Sequence, residues 1–291
     1  MRILELFCGI GGAAAAASPD DEIVAVDHDR DALSTYAANF AHRQVVKNLA
    51  RVPSEWFSSF EADMWWMSPP CQPHGIRGEQ RDLDDPRSEA FRSVVDAIRA
   101  VRPMAIGLEN VPWFADSDSW RLLRGTLDAC GYGVVEREMD ATHFGLPVER
   151  RRYYLAATRD AVPAPLEPPF CRLRTMAEFL VAEPAADLTL EPAFLERYGP
   201  ALHVVDGNDE HAVSACFTAA YARSPVYCGS YLRQGGRIRR FAPEEIVALH
   251  GFPAAFRFPD SQSAKRRYAQ AGHSVPVPAV ERVLASIRER T

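Results

Sequence analysis

Residues 2–12 read RILELFCGIGG. The apolar run Arg2 to Phe7 predicts a strand, Gly9, Gly11 and Gly12 break it, and Ala13 to Ala17 begin a helix. This strand–turn–helix order is how a βα unit starts, and the same order recurs downstream. A second strand, Ile23 to Val26, ends in Asp27 and leads into a helix through Ala32, Tyr36 and Phe40. Met64 to Met67 is a third buried run and ends at Ser68-Pro69-Pro70. Helical periodicity from Arg87 to Val101 precedes a strand, Met104 to Leu108, that ends at Glu109-Asn110. Trp120 to Cys130 predicts a helix closed by Gly131, with strands at Val134–Met139 and Arg152–Ala157. Such alternation implies an α/β fold, a mostly parallel, Rossmann-like sheet with helices on both faces.

The stretch VPAPLEPPF (162–170) is proline-rich, as a domain boundary tends to be. We therefore expect a large domain of residues 1–165 with 272–291, and a small irregular domain of residues 166–271. Helices are expected at Pro243–His250 and Val277–Arg288, and turns at Gly207-Asn208 and Gly235-Gly236.

With 291 residues, 47% hydrophobic and 25% charged, the chain has an ordinary globular composition. Its longest apolar runs are strand-sized, which excludes a membrane-spanning helix. Met1 to Ile10 passes straight into a strand pattern without a basic leader, so the expected location is the cytoplasm. Six cysteines lack metal-ligand spacing, so no metal is expected. The net charge of −6 argues mildly against a polyanionic partner. A local basic face would suffice, however, and Arg150, Arg151 and Arg152 cluster, as do Arg239 with Arg240 and Arg266 with Arg267.

Reactive or polar residues recur where the predicted strands end. In an open α/β sheet, ligands bind in the crevice at that edge. The Gly9–Gly12 turn permits close backbone approach of a ligand, although GxGxxG spacing is missing because residue 14 is alanine. Asp27 stands where a carboxylate can hold ribose hydroxyls, or else cap the following helix. Together the two suggest an adenosine-containing ligand. Ser68-Pro69-Pro70-Cys71-Gln72-Pro73 frames one thiol with three prolines. Structural cysteines usually sit in apolar strands and helices, so a nucleophile is the better reading. Glu109 could cap a helix or present its carboxyl to a flat, hydrogen-bonding substrate. The alternation Arg150/Arg152 before a strand would put both on one face.

These segments resemble, in order, the motifs of the C5-cytosine methyltransferases: LELFCGIGG (4–12), VAVDHDRDALSTYAANF (24–40), SPPCQP (68–73), LENV (108–111), HFGLPVERRRYYL (143–155), RRFAPEEIVALHGFP (239–253) and AGHSV (271–275). RGEQRDLDDPRSEAF (77–91), FLERYGPALHVVD (194–206) and Cys216-Phe217-Thr218 are similar to the tRNA-methylating branch, the second DNA-methyltransferase homologue family. His74, Val148, His273 and Asn48 depart from the family's pattern.

The resemblance implies a fold built to bind S-adenosylmethionine, with residues 166–271 as a target-recognition domain. It implies that Cys71 is the nucleophile, that Glu109 and Arg152 hold the cytosine, and that Arg150 supports the pocket or a phosphate. Phe7, Gly9, Ile10, Gly11, Gly12, Asp27, His28, Asn48, Leu49, Pro70, Ser274 and Val275 would surround the cofactor. Pro69, Gln72, Asn110, Val111, Cys216 and Thr218 would face the substrate, with Cys216 reading equally well as plain core. The expected partner is a nucleic acid, slightly favouring a tRNA anticodon-loop cytosine over DNA, and the expected state is a monomer. A catalytically silent nucleic-acid-binding protein on the same scaffold is the alternative of another class. A dehydrogenase is disfavoured by the missing GxGxxG.

Overall fold

The computed structural model describes residues 1–70, 82, 85 and 88–289. It separates into two compact units: Met1–Met139 with Arg151–Pro168 and the residues from Ala279 onward, and Asp140–Arg150 with Pro169–Pro278. The changeover after Pro168 falls inside the proline-rich stretch.

The first unit is built on a seven-stranded sheet, in the order β3-β2-β1-β4-β5-β7-β6. Its strands are β1 (Arg2–Leu6), β2 (Glu22–Asp27), β3 (Arg43–Val46), β4 (Met64–Met67), β5 (Ala105–Asn110), β6 (Gly133–Met139) and β7 (Arg152–Thr158). The central strands are apolar on both faces because helices cover both: all four residues of β4 and all six of β5 are buried. Neighbours from β3 through β5 pair in parallel. β7 runs antiparallel to both β5 and β6. The helices are α1 (Gly12–Ala16), α2 (Arg30–Asn39), α3 (Ser54–Ser58), α4 (Ser88–Val101) and α5 (Asp118–Ala129). Phe91, Val94, Val95 and Ile98 of α4 and Leu123 and Leu127 of α5 join Leu4, Leu6, Trp65, Ile106 and Leu155 in one buried cluster.

The second unit carries a three-stranded sheet of β8 (Val204–Asp206), β9 (Tyr231–Gln234) and β10 (Arg237–Arg240), where the sequence suggests only irregular chain. β9 and β10 form a hairpin whose turn is Gly235-Gly236, both at positive φ, the geometry that two-residue hairpin turns require. α6 (Pro192–Tyr198), α7 (Pro243–Leu249) and α8 (Ala264–His273) accompany it, and α9 (Val277–Arg288) returns the chain to the first unit. The Arg239–Glu245 ion pair, 2.7 Å long and almost fully buried, joins β10 to α7. Glu245 also accepts the backbone N–H groups of Ala242 and Val181, which satisfies a carboxylate that burial would otherwise penalise.

Candidate active site

Parallel strands place their carboxyl ends along one edge, and five candidate segments lie there: Phe7–Gly12 after β1, Asp27 ending β2, Asn48 and Leu49 after β3, Ser68–Pro70 after β4, and Glu109–Val111 closing β5. β7 is antiparallel and pairs Tyr153 with Asn110, so its first residue, Arg152, begins at the same edge.

The turn after β1 is tightly specified. Phe7, Gly9 and Gly11 all have positive φ. A Cβ on Gly11 would lie 2.6 Å from the Phe40 ring, while one on Gly9 would meet nothing within 4 Å. The turn is therefore packed on its Gly11 side and open at Gly9, a cradle fit for a ligand approaching the backbone. Asp27 holds it from the next strand: Oδ2 accepts the Gly9 N–H (2.9 Å), Oδ1 accepts the Asp29 N–H (2.9 Å), and His28 Nδ1 lies 3.2 Å from Oδ1. Burial opposes ionisation of Asp27, but the bond from His28, the two backbone N–H bonds and the His28 charge outweigh it and hold the carboxyl below its usual range. The helix-capping alternative falls to Asp29, which accepts the N–H groups of Asp31 and Ala32 at the start of α2.

Beneath this turn sits Glu5, a residue the sequence does not single out. Its side chain is buried, Oε1 accepts the Ala13 N–H (3.0 Å), and Oε2 lies 3.2 Å from the Tyr36 hydroxyl. Burial pushes its carboxyl up to about 8, against hydrogen bonds from Ala13, Tyr36 and Ala14 that favour the ion and with the Asp27 charge adding to the rise. The Tyr36 hydroxyl continues to His42 Nδ1 at 3.0 Å. A single acidic residue within an apolar strand is the signal that could have found it.

At the other side of the edge, Asn110 is pinned in place. Its Nδ2 donates to the Pro69 carbonyl (3.3 Å), and its Oδ1 accepts the Val111 N–H (2.8 Å). β5 is thereby tied to Pro69, two residues before Cys71. Cys71, Gln72 and His74 lie outside the described residues. Glu109 is buried, and its Oε1 is 3.2 Å from Arg152 Nε. The pair sets a carboxyl group and a guanidinium side by side, an arrangement that can meet a flat ring with both donors and acceptors on its edge.

The three consecutive arginines part company. Arg152 faces Glu109, and Arg151 makes a surface pair with Glu138. Arg150 belongs to the second unit and is buried. It donates to the carbonyls of Phe217 (2.9 Å), Gly272 (3.1 Å) and Ser274, and to Cys216 Sγ (3.5 Å). It lies two residues before β7, which begins at Arg152.

Cys216, Thr218, Ser274 and Val275 are also in the second unit. Ser274 ends α8; its hydroxyl donates to the Ala271 carbonyl and sits 2.8 Å from His250 Nδ1. Gly272 permits this packing, since a Cβ there would come within 2.3 Å of the Thr218 backbone. Among the described residues no group of three His, Cys, Asp or Glu side chains is placed to hold a metal, and no helix is long and apolar enough to cross a membrane.

The chain is 26% identical to the tRNA (cytosine(38)-C(5))-methyltransferase of Mus musculus, covering 99% of this chain and 94% of that protein. It is 29% identical to the type II methyltransferase M.NgoBI of Neisseria gonorrhoeae, covering 96% and 90%. The crystal structure of the Schizosaccharomyces pombe Dnmt2 methyltransferase superposes with a TM-score of 0.89 at 25% identity, over 99% of this chain and 98% of that one. That of the Entamoeba histolytica methyltransferase EhMeth, at 22% identity, shares the fold with a TM-score of 0.92, over 99% and 98%. The sequence profile of the C-5 cytosine-specific DNA methylases matches residues 1–188 and 204–289, and the chain belongs to that family.

Proposed function

We propose that the protein methylates C5 of a cytosine in a polynucleotide, using S-adenosylmethionine and a transient bond from Cys71 to C6 of the base. The observation that carries this reading is the Glu109–Arg152 pair at the sheet edge, with Asn110 tying the same strand to Pro69, two residues before Cys71. The open cradle at Gly9 and the ionised Asp27 suit an adenosine-bearing cofactor, and we assign Phe7–Gly12, Asp27, His28, Asn48, Leu49 and Pro70 to it. When bound, that cofactor supplies a methyl group on a positively charged sulfur, and C5 of the base accepts it.

The residues of the chain do the rest. Cys71 thiolate adds to C6, and the electron pair of the C5–C6 double bond becomes available at C5. Glu109 hydrogen-bonds the N3 edge and Arg152 the O2 edge, stabilising charge that develops on the ring. Loss of the C5 proton then restores the double bond and expels Cys71. Arg150 holds the Cys216–Phe217 segment to the Gly272–Ser274 turn, and we assign the second unit to recognition of the polynucleotide.

A tRNA anticodon-loop cytosine is the favoured target, because relatives named for tRNA cytosine 38 align along nearly the whole chain. An unpaired loop base also costs less to extrude than a duplex base. Methylation of DNA is the second reading, supported by the 29% identity to M.NgoBI. Incubation with labelled S-adenosylmethionine and either total tRNA or duplex DNA separates the two. Label in tRNA alone is expected, and label in DNA alone overturns the tRNA assignment. A substrate containing 5-fluorocytosine should leave a denaturant-stable adduct. Tight binding without an adduct would identify a catalytically silent binding protein.

A further inference from the structure

Three residues beyond the end of β5 stands a large aromatic side chain that the reaction does not use. Trp113 is 48% exposed. It lies in the 3-10 turn Pro112–Asp116, while its neighbour Phe114 is completely buried against Phe91 and Tyr153. Both ends of the turn are fastened. Asn110 Oδ1 accepts the Val111 N–H, Phe114 N–H donates to the Val111 carbonyl (3.0 Å), and the Ser117 hydroxyl donates to the Phe114 carbonyl (2.6 Å). The fold thus anchors Phe114 inward and presents Trp113 outward on a rigid support.

Position makes this exposure meaningful. Trp113 is four Cα–Cα steps on from Glu109, so their Cα atoms are at most about 14 Å apart. Scattered exposed aliphatics are normal, but an indole held on a fixed turn beside a binding edge resembles the stacking platforms of proteins that bind unpaired bases. The chain is also acidic overall, with a net charge of −6, so a contact that does not rely on phosphate attraction adds to what local basic groups supply. An aromatic face provides one that does not depend on charge.

We propose that Trp113 is a stacking site for an unpaired nucleobase flanking the target cytosine, which keeps the strand from closing when that cytosine is extruded. This rests on the polynucleotide reading of the Glu109–Arg152 site. The shared chemistry is the flat face of the base, and RNA and DNA differ only in the backbone that brings it.

The test compares wild type, Trp113→Ala and Trp113→Phe. Each is titrated by fluorescence anisotropy with short single-stranded RNA and DNA oligonucleotides and with abasic strands of the same length. Replacement of a stacking aromatic by alanine should weaken binding of the base-bearing strand by about 5- to 150-fold. Binding of the abasic strand should be unchanged, and Trp113→Phe should retain most of the affinity. The preferred backbone shows whether RNA or DNA supplies the base. In methyl transfer to the polynucleotide that wild type labels, Trp113→Ala should raise KM by a similar factor at nearly constant kcat. Equal losses on base-bearing and abasic strands, or no loss on either, overturn the proposal. If wild type labels neither tRNA nor DNA, the methyltransferase reading fails, and the anisotropy comparison still decides the role of Trp113.

Discussion

Replacing Glu5 by glutamine should make the first unit less sensitive to pH. In the folded chain the buried carboxyl keeps its proton up to about pH 8. In the unfolded chain it releases the proton near the ordinary glutamate value of 4.5. Between those values the folded state binds more protons than the unfolded state, so stability falls as pH rises and levels off above about 8. At 1.36 kcal/mol per unit the whole span amounts to about 4–5 kcal/mol, of which about 2 kcal/mol is lost between pH 6 and 8, because the slope flattens towards the folded value. Glutamine is neutral throughout and can still accept from Ala13 N–H and donate to the Tyr36 oxygen, so Glu5→Gln should lack that loss. All five tryptophans lie in the first unit, so urea unfolding followed by tryptophan fluorescence reports on it selectively. Groups outside the Glu5–Tyr36–His42 chain are common to both proteins and cancel in the comparison. If wild type and variant lose the same stability between pH 6 and 8, Glu5 does not carry the proton and the reasoning fails.

Asp27→Asn should weaken S-adenosylmethionine binding by about 10- to 100-fold in calorimetry, the cost of losing a charged hydrogen-bond partner. The stability that Asp27 contributes is present above its ordinary titration range and disappears as pH falls through its lowered folded value, so the variant should show a shallower acid transition below about pH 4. Gly272→Ala should destabilise the second unit by about 1–3 kcal/mol, because its Cβ would meet the backbone of Thr218 and Ala219 and no flexible side chain can yield; hydrogen exchange of residues 214–219 reads this out. Arg150→Met should cost about 3 kcal/mol or more in the same unit by stranding three carbonyls, and Arg150→Lys should recover only part. A phosphate-contacting role would instead raise KM for the polynucleotide and leave stability unchanged.

Much of the first unit is legible residue by residue. The RILELF run, the MWWM run and the strand ending at Glu109 are mostly apolar and almost wholly buried, as strands covered on both faces are. β3 escapes notice because an edge strand pairs with one neighbour, is only partly buried, and needs no strong pattern. α8 is polar along most of its length, and β8 to β10 are three or four residues each, so neither has the periodicity that marks longer elements.

Sequence alone determined the βα order, the glycine turn, the acidic strand end at Asp27, and the proline-framed thiol with its partner motif, because local apolar period and turn chemistry record them directly. Tertiary structure decided what each polar group touches. Three adjacent arginines received three different environments, the helix cap passed from Asp27 to Asp29, and Glu5 became a buried acid holding its proton. A side chain's charge state and partners depend on what folds against it from distant positions, and no local stretch of residues contains that information.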